Sequence, residues 1–190
     1  MIIPIGADCG LAEICKTYGL RHSSFPFDWT VSYNGVSKCF EDNFASFTEP
    51  LQDRINIHDI FFYHDFKDTG EEDKEKYTRR CGRLLTILET SKEEIVFFRK
   101  GHAPHHHYEH NGKYSTITSD IDDSEQLSRI ISLKYPKLKY KIIVVLVCGK
   151  CFDSTLTYRT NTKKIELHNI ATAQVDDLRF KGLFCGIFNL

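Results

Sequence analysis

The chain has 190 residues, 41% of them hydrophobic, and a formal net charge of −1. That is enough to bury one core, and there is no basic excess of the kind that favours nucleic acid or an anionic membrane surface. The longest apolar run, Ile142–Cys148, is too short to span a bilayer, the N-terminus carries neither a signal-peptide pattern nor a lipidation motif, and seven irregularly spaced cysteines fit reduced thiols in a cytoplasmic compartment.

Taken in chain order, a short apolar strand, Ile2–Ile5, ends at Gly6, and a helical pattern begins after Cys9 with Leu11, Ile14 and Cys15 on one face. A short helix over Val36–Phe44 is entered through Asn34-Gly35. A longer one over Asp73–Glu89 carries Tyr77, Cys81, Leu84, Leu85 and Leu88 as its stripe. Strand Ile95–Phe98 follows. The next helix starts after Asp123, read as an N-cap with Gln126 as its capping-box partner, and carries Leu127, Ile130 and Ile131. Ile142–Val147 is continuous and rich in Val and Ile, as a strand buried on both faces requires, and Ile165–Ile170 is a last strand. Such alternation predicts an α/β fold: a single-domain three-layer sandwich with a mainly parallel sheet, spanning 1–190. Ligands in such sheets bind beyond the carboxyl ends of the strands.

Cys9 falls at that end of the first strand and beside a helix N-terminus. Unpaired N–H groups and the positive helix end favour an anion there, so the position predicts a lowered thiol pKa and a nucleophile. The N–H groups of Cys9 and Gly10 are candidates for an oxyanion hole. The competing reading is a buried structural thiol.

The stretch Gly6-Ala7-Asp8-Cys9, followed by Leu20-Arg21 and Pro26-Phe27-Asp28-Trp29, resembles a family described as papain-like cysteine peptidases, a domain of unknown function found in bacteria and large DNA viruses. His64-Asp65-Phe66 and Tyr77-Thr78-Arg79-Arg80 match later elements of its pattern, so the resemblance covers the first half of the chain and the second half only in layout. It implies a Cys-dependent hydrolase or acyl transferase acting on amide or ester bonds, in a cytoplasm (the host's, if the source is viral). The layout is also similar to serine hydrolases whose Gly-Asp-Ser motif follows the first strand. Here Ala7-Asp8-Cys9 stands at that place, and Ile165-Glu166-Leu167-His168 replaces their Asp-x-x-His.

A thiol nucleophile needs a base and a partner that orients it. His64 is the first candidate base: it lies among aromatic residues, precedes Asp65, and falls in the family-like element. His168, followed by Asn169, is the second. Asp28, set among aromatics, either orients His64 or caps a turn. Arg21 and Arg80 are candidates to bind a carboxylate or other anion on the substrate, with Trp29 and Gly10 lining the cleft. Five histidines between His102 and His110 follow a strand in a Pro-broken loop; this segment reads as exposed and adventitious in its metal binding, with His102 a possible lining residue of the cleft. Cys148-Gly149-Lys150-Cys151 has CxxC spacing but no second pair. No phosphate-binding glycine loop is present. The reading is therefore an enzyme without cofactor or functional metal, acting on a peptide, ester or glycan-like substrate, with no nucleic-acid or membrane partner. Its alternatives are a non-catalytic glycan- or peptide-binding module, or an acyl or glycosyl transferase in polysaccharide assembly.

Overall fold

A four-stranded parallel sheet carries the candidate site. Its strands are β1 (Ile2–Pro4), β6 (Ile95–His102), β9 (Tyr140–Val147) and β10 (Ile165–Ile170), hydrogen-bonded in the order β1-β6-β9-β10. The structure is a computed structural model that describes residues 1–32, 35–49, 51–67, 70–102, 107–110, 113–116, 120–147, 160–172 and 174–190, with 102, 107–110 and 113–116 described through their backbone alone. Ile3 pairs with Phe97, Phe97 with Ile142, and Ile142 with Ile165, so one register runs across all four strands.

Strand alternation sorts the apolar residues into two clusters. Ile3, Ile95, Phe97, Ile142, Val144 and Leu146 face α2 (Val36–Glu41), α3 (Glu71–Thr90) and α4 (Asp120–Lys134). Val96, Phe98, Ile143, Val145 and Val147 face α1 (Gly10–Thr17) and α5 (Leu178–Phe188). Helices thus cover both faces of the parallel sheet, which is why β9 is buried almost throughout and reads as an unbroken apolar run. No helix among the described residues is long and apolar enough to cross a membrane.

A second, antiparallel sheet of two-residue strands lies on the α2–α3 side: β2 (Val31–Ser32), β3 (Leu51–Gln52), β4 (Ile55–Asn56) and β5 (Ile60–Phe61), in the order β2-β5-β4-β3. Asp53 and Arg54, both at positive φ, make the tight turn between β3 and β4. Segments this short show no period in sequence, and the expectation of alternating helices and long strands does not contain them.

Three other elements differ from the sequence reading. The α4 helix begins at Asp120, so Asp123 lies within its first turn; the Asp123 carboxylate accepts the N–H and hydroxyl of Ser37 on α2 at 3.2 and 2.6 Å. The histidine-rich segment is no simple loop: β7 (His107–His110) and β8 (Lys113–Thr116) pair as an antiparallel hairpin. The α5 helix follows β10, with Asp177 as its N-cap accepting the Arg179 N–H at 2.8 Å and with Phe180 and Phe184 buried.

Candidate active site at the carboxyl end of the sheet

Beyond Ile5 the chain turns through Gly6, Ala7 and Asp8 into α1, whose N-cap is Cys9. Gly6 stands at φ +107°, where a side chain would be strained, and a Cβ there would collide with the Ser32 hydroxyl. The glycine therefore lets β2 close on the turn, and the Ser32 N–H donates to the Ala7 carbonyl at 2.7 Å.

Two neighbouring residues of β6 grip this turn from both faces of the sheet. Arg99, on the α4 side, is 1% exposed. Its Nη1 donates to the Ile5 carbonyl at 3.0 Å, its Nε donates to Asp120 at 2.6 Å, and Asp123 lies 3.7 Å away. Lys100, on the α1 side, donates its backbone N–H to the Gly6 carbonyl at 3.0 Å and places Nζ 2.5 Å from Asp8 Oδ2. Asp8 Oδ1 in turn accepts the N–H of Gly10 at 3.0 Å. Asp8 thus joins the start of α1 to a lysine that is itself 4% exposed.

This arrangement corrects two expectations about Cys9. Its thiol is half-buried, and its pKa is raised above the ordinary cysteine value, first by burial, then by the carboxylates of Asp8 and Glu13; its own backbone N–H and Lys100 act in the opposite direction. Desolvation of the charged form and the two nearby anions together outweigh the backbone N–H and Lys100, which favour the thiolate. The Gly10 N–H is engaged by Asp8, and the methyls of Val175, from the loop after β10, close over Gly10. An oxyanion hole using Gly10 would have to displace the Asp8 carboxylate.

The other candidates are placed apart from the thiol in their bonding. His64 is exposed and sits edge-on to Trp29, ring centroids 6.1 Å apart, and to Tyr63 at 4.9 Å. No described histidine is hydrogen-bonded to Cys9. Asp65 does not fix the His64 tautomer: its two oxygens accept the Tyr77 hydroxyl at 2.6 Å and Lys76 Nζ at 2.7 Å. His168 is bonded to Glu166 on its own strand at 2.6 Å.

Asp28 is fully buried and takes the capping role instead of orienting His64. Its Oδ2 accepts Arg21 Nε at 3.0 Å and Nη2 at 2.6 Å, and the Phe25 N–H at 3.0 Å, closing the 3-10 turn Pro26–Trp29. Burial pushes its carboxyl pKa upward against the pull of those donors. Arg21 is therefore committed to Asp28 and Ser24, not left open for a substrate anion. Arg80 is buried beneath the same turn, its guanidinium 5.0 Å from the Tyr77 ring centroid, and its Nη1 has no partner among the described residues. Trp29 is half-buried, with Arg21 5.9 Å from its ring.

Sequence reasoning missed Lys100, Arg99, Asp120 and the dual role of Asp8. The available signal was two adjacent cations, Arg99-Lys100, closing an apolar strand. Cations buried at such a place must be paired. Among the described residues no three His, Cys, Asp or Glu side chains gather in a way that would hold a metal ion. The side chains of His102–His110, and Cys148-Gly149-Lys150-Cys151, lie outside what is described.

No family model, curated protein or solved structure matches this chain.

Proposed function

We propose that the protein is a cysteine-nucleophile hydrolase or acyl transferase acting on amide or ester bonds, with Cys9 as the attacking group. The observation that carries this reading is the placement of a half-buried, accessible thiol at the start of α1, directly beyond the carboxyl end of β1. Substrate sites in parallel sheets lie at that edge. The resemblance of Gly6–Cys9 and Pro26–Trp29 to papain-like cysteine peptidases supports the same assignment.

The raised thiol pKa shapes the mechanism. At neutral pH Cys9 is a thiol, so its proton must leave to a base as sulfur attacks the carbonyl carbon; the acyl group moves to sulfur, the protonated base serves the leaving group, and water or an acceptor then releases the acyl group. The sequence offers His64, His168 and the 102–110 segment for this task. The free thiols Cys9, Cys15, Cys39, Cys81 and Cys185 fit a reducing cytoplasm.

The test is turnover of short-chain p-nitrophenyl esters and fluorogenic peptides by the wild type, Cys9→Ala, His64→Gln and His102→Gln. A fall of about a hundredfold or more in Cys9→Ala supports the reading. Equal turnover by wild type and Cys9→Ala overturns it.

A second reading has its own observation. Tyr63 is 56% exposed and, with His64 and half-buried Trp29, forms an aromatic ridge open to solvent, a surface suited to stacking on a glycan or peptide. Trp29 is the single tryptophan of the chain, so its fluorescence reports a bound oligosaccharide or peptide directly.

A further inference from the structure

We propose that Lys100 is the positioning residue of the Cys9 turn, setting the reactivity of the thiol by balancing Asp8 from the neighbouring strand. The proposal rests on the reading of Cys9 as the nucleophile.

Two bonds from one residue define the device. The Lys100 backbone fixes the start of the turn at the Gly6 carbonyl, and its ammonium fixes the end of the turn at Asp8 Oδ2, 2.5 Å away. The other Asp8 oxygen holds the first N–H of α1. Cys9 is carried between these two fixed points. Arg99, the preceding residue, anchors Ile5 on the opposite face of the sheet. The geometry therefore separates two tasks: Arg99 ties the strand to α4, and Lys100 holds Asp8, the residue before the thiol.

The charge balance follows from that arrangement. Asp8 lies one residue from Cys9 and Glu13 four residues along the same helix, and both disfavour a thiolate; Lys100 is the cation that opposes them. From the β10–α5 loop the contact on Gly10 is the apolar Val175; Asp177 of that loop is bonded to Arg179, and Asp176 is solvent-exposed. At short range in a half-buried site, removing one unit charge changes the thiolate fraction by about tenfold per pKa unit.

The experiment is the pH profile of Cys9 alkylation by iodoacetamide, read by peptide mass spectrometry on intact folded protein. Lys100→Met should move the profile to higher pH and slow labelling at pH 7.5 by about two- to fivefold. Lys100→Arg should restore most of the wild-type profile. Asp8→Asn should move the profile to lower pH, and the double variant should return close to wild type. Circular dichroism and unchanged labelling of Cys185 establish that each variant is folded. If Lys100→Met fails to fold, Lys100→Gln, which also removes the charge but keeps a polar end for Asp8, is read by the same criteria. An unshifted profile in folded Lys100→Met, or a shift of Asp8→Asn to higher pH, overturns the proposal. These outcomes concern the thiol alone. An inert Cys9→Ala difference in the ester assay would instead sink the catalytic reading while leaving the control of the thiol by Lys100 measurable.

Discussion

The turn at Cys9 and the turn at Pro26–Trp29 are each held by a carboxylate–cation pair, and the two pairs are built for opposite ends. At Cys9 the carboxylate, Asp8, remains more than a third exposed and is shared between Lys100 and a helix N–H. At the second turn Asp28 has no exposure and receives three hydrogen bonds on one oxygen, next to Phe27, whose ring meets Phe40, Phe44 and Phe47. The first arrangement leaves a half-buried thiol at the edge of the sheet. The second spends every polar contact on closing a loop over the aromatic core. Two motifs that look alike in sequence, each a carboxylate near a bulky or thiol neighbour, therefore separate into a candidate chemical site and a structural one.

The comparison is tested most severely beneath the Cys9 turn. Arg99→Met leaves Asp120 buried without its cation and should destabilise the protein by about 3–5 kcal/mol, read as a lowered urea midpoint. A midpoint within error of the wild type would show that the turn is not anchored through β6. A similar loss is expected on the other side for Phe27→Ala, about 3–5 kcal/mol for a fully enclosed ring, whereas Trp29→Ala should cost less, about 1–3 kcal/mol, because its ring is only partly buried. Equal costs for the two rings would erase the distinction drawn between core and ridge.

The smallest effect concerns pH. The Asp28 pKa is raised in the folded protein above its ordinary value of 3.8, chiefly by burial. A carboxyl shifted in that direction contributes stability that is fully present below the unfolded value and is lost as pH rises through the folded one. The stability of the wild type relative to Asp28→Asn should therefore be greatest near pH 3 and decline upward from pH 3.8. A difference that grows with pH instead would mean that Arg21 outweighs desolvation.

How much of this was legible in the sequence depends on length of pattern. Strands β1, β6, β9 and β10 and helix α3 stand out because burial on one or two faces imposes a period that runs for several residues. The β2–β5 sheet, made of two-residue strands, has no such period, and α5 hides its Phe180 and Phe184 stripe among glycines that lower helix propensity. The start of α4 lies at Asp120 and not at Asp123, which has the residue type of a cap while its carboxylate is drawn to Ser37, 86 residues away in sequence.

The sequence by itself determined that a cysteine would stand where the first strand gives way to the first helix, because an apolar run, a glycine and a helical stripe are local features. It could not determine the protonation of that thiol. That depends on how far the thiol is buried and on Asp8, Glu13 and Lys100 acting across space. The partner of Asp65 is likewise a tertiary matter, since Tyr77 and Lys76 reach it from α3 and leave His64 to solvent. Local patterning places a residue on an element; only the packing of elements decides which charges surround it, because Coulomb and desolvation effects follow distance and burial rather than position along the chain.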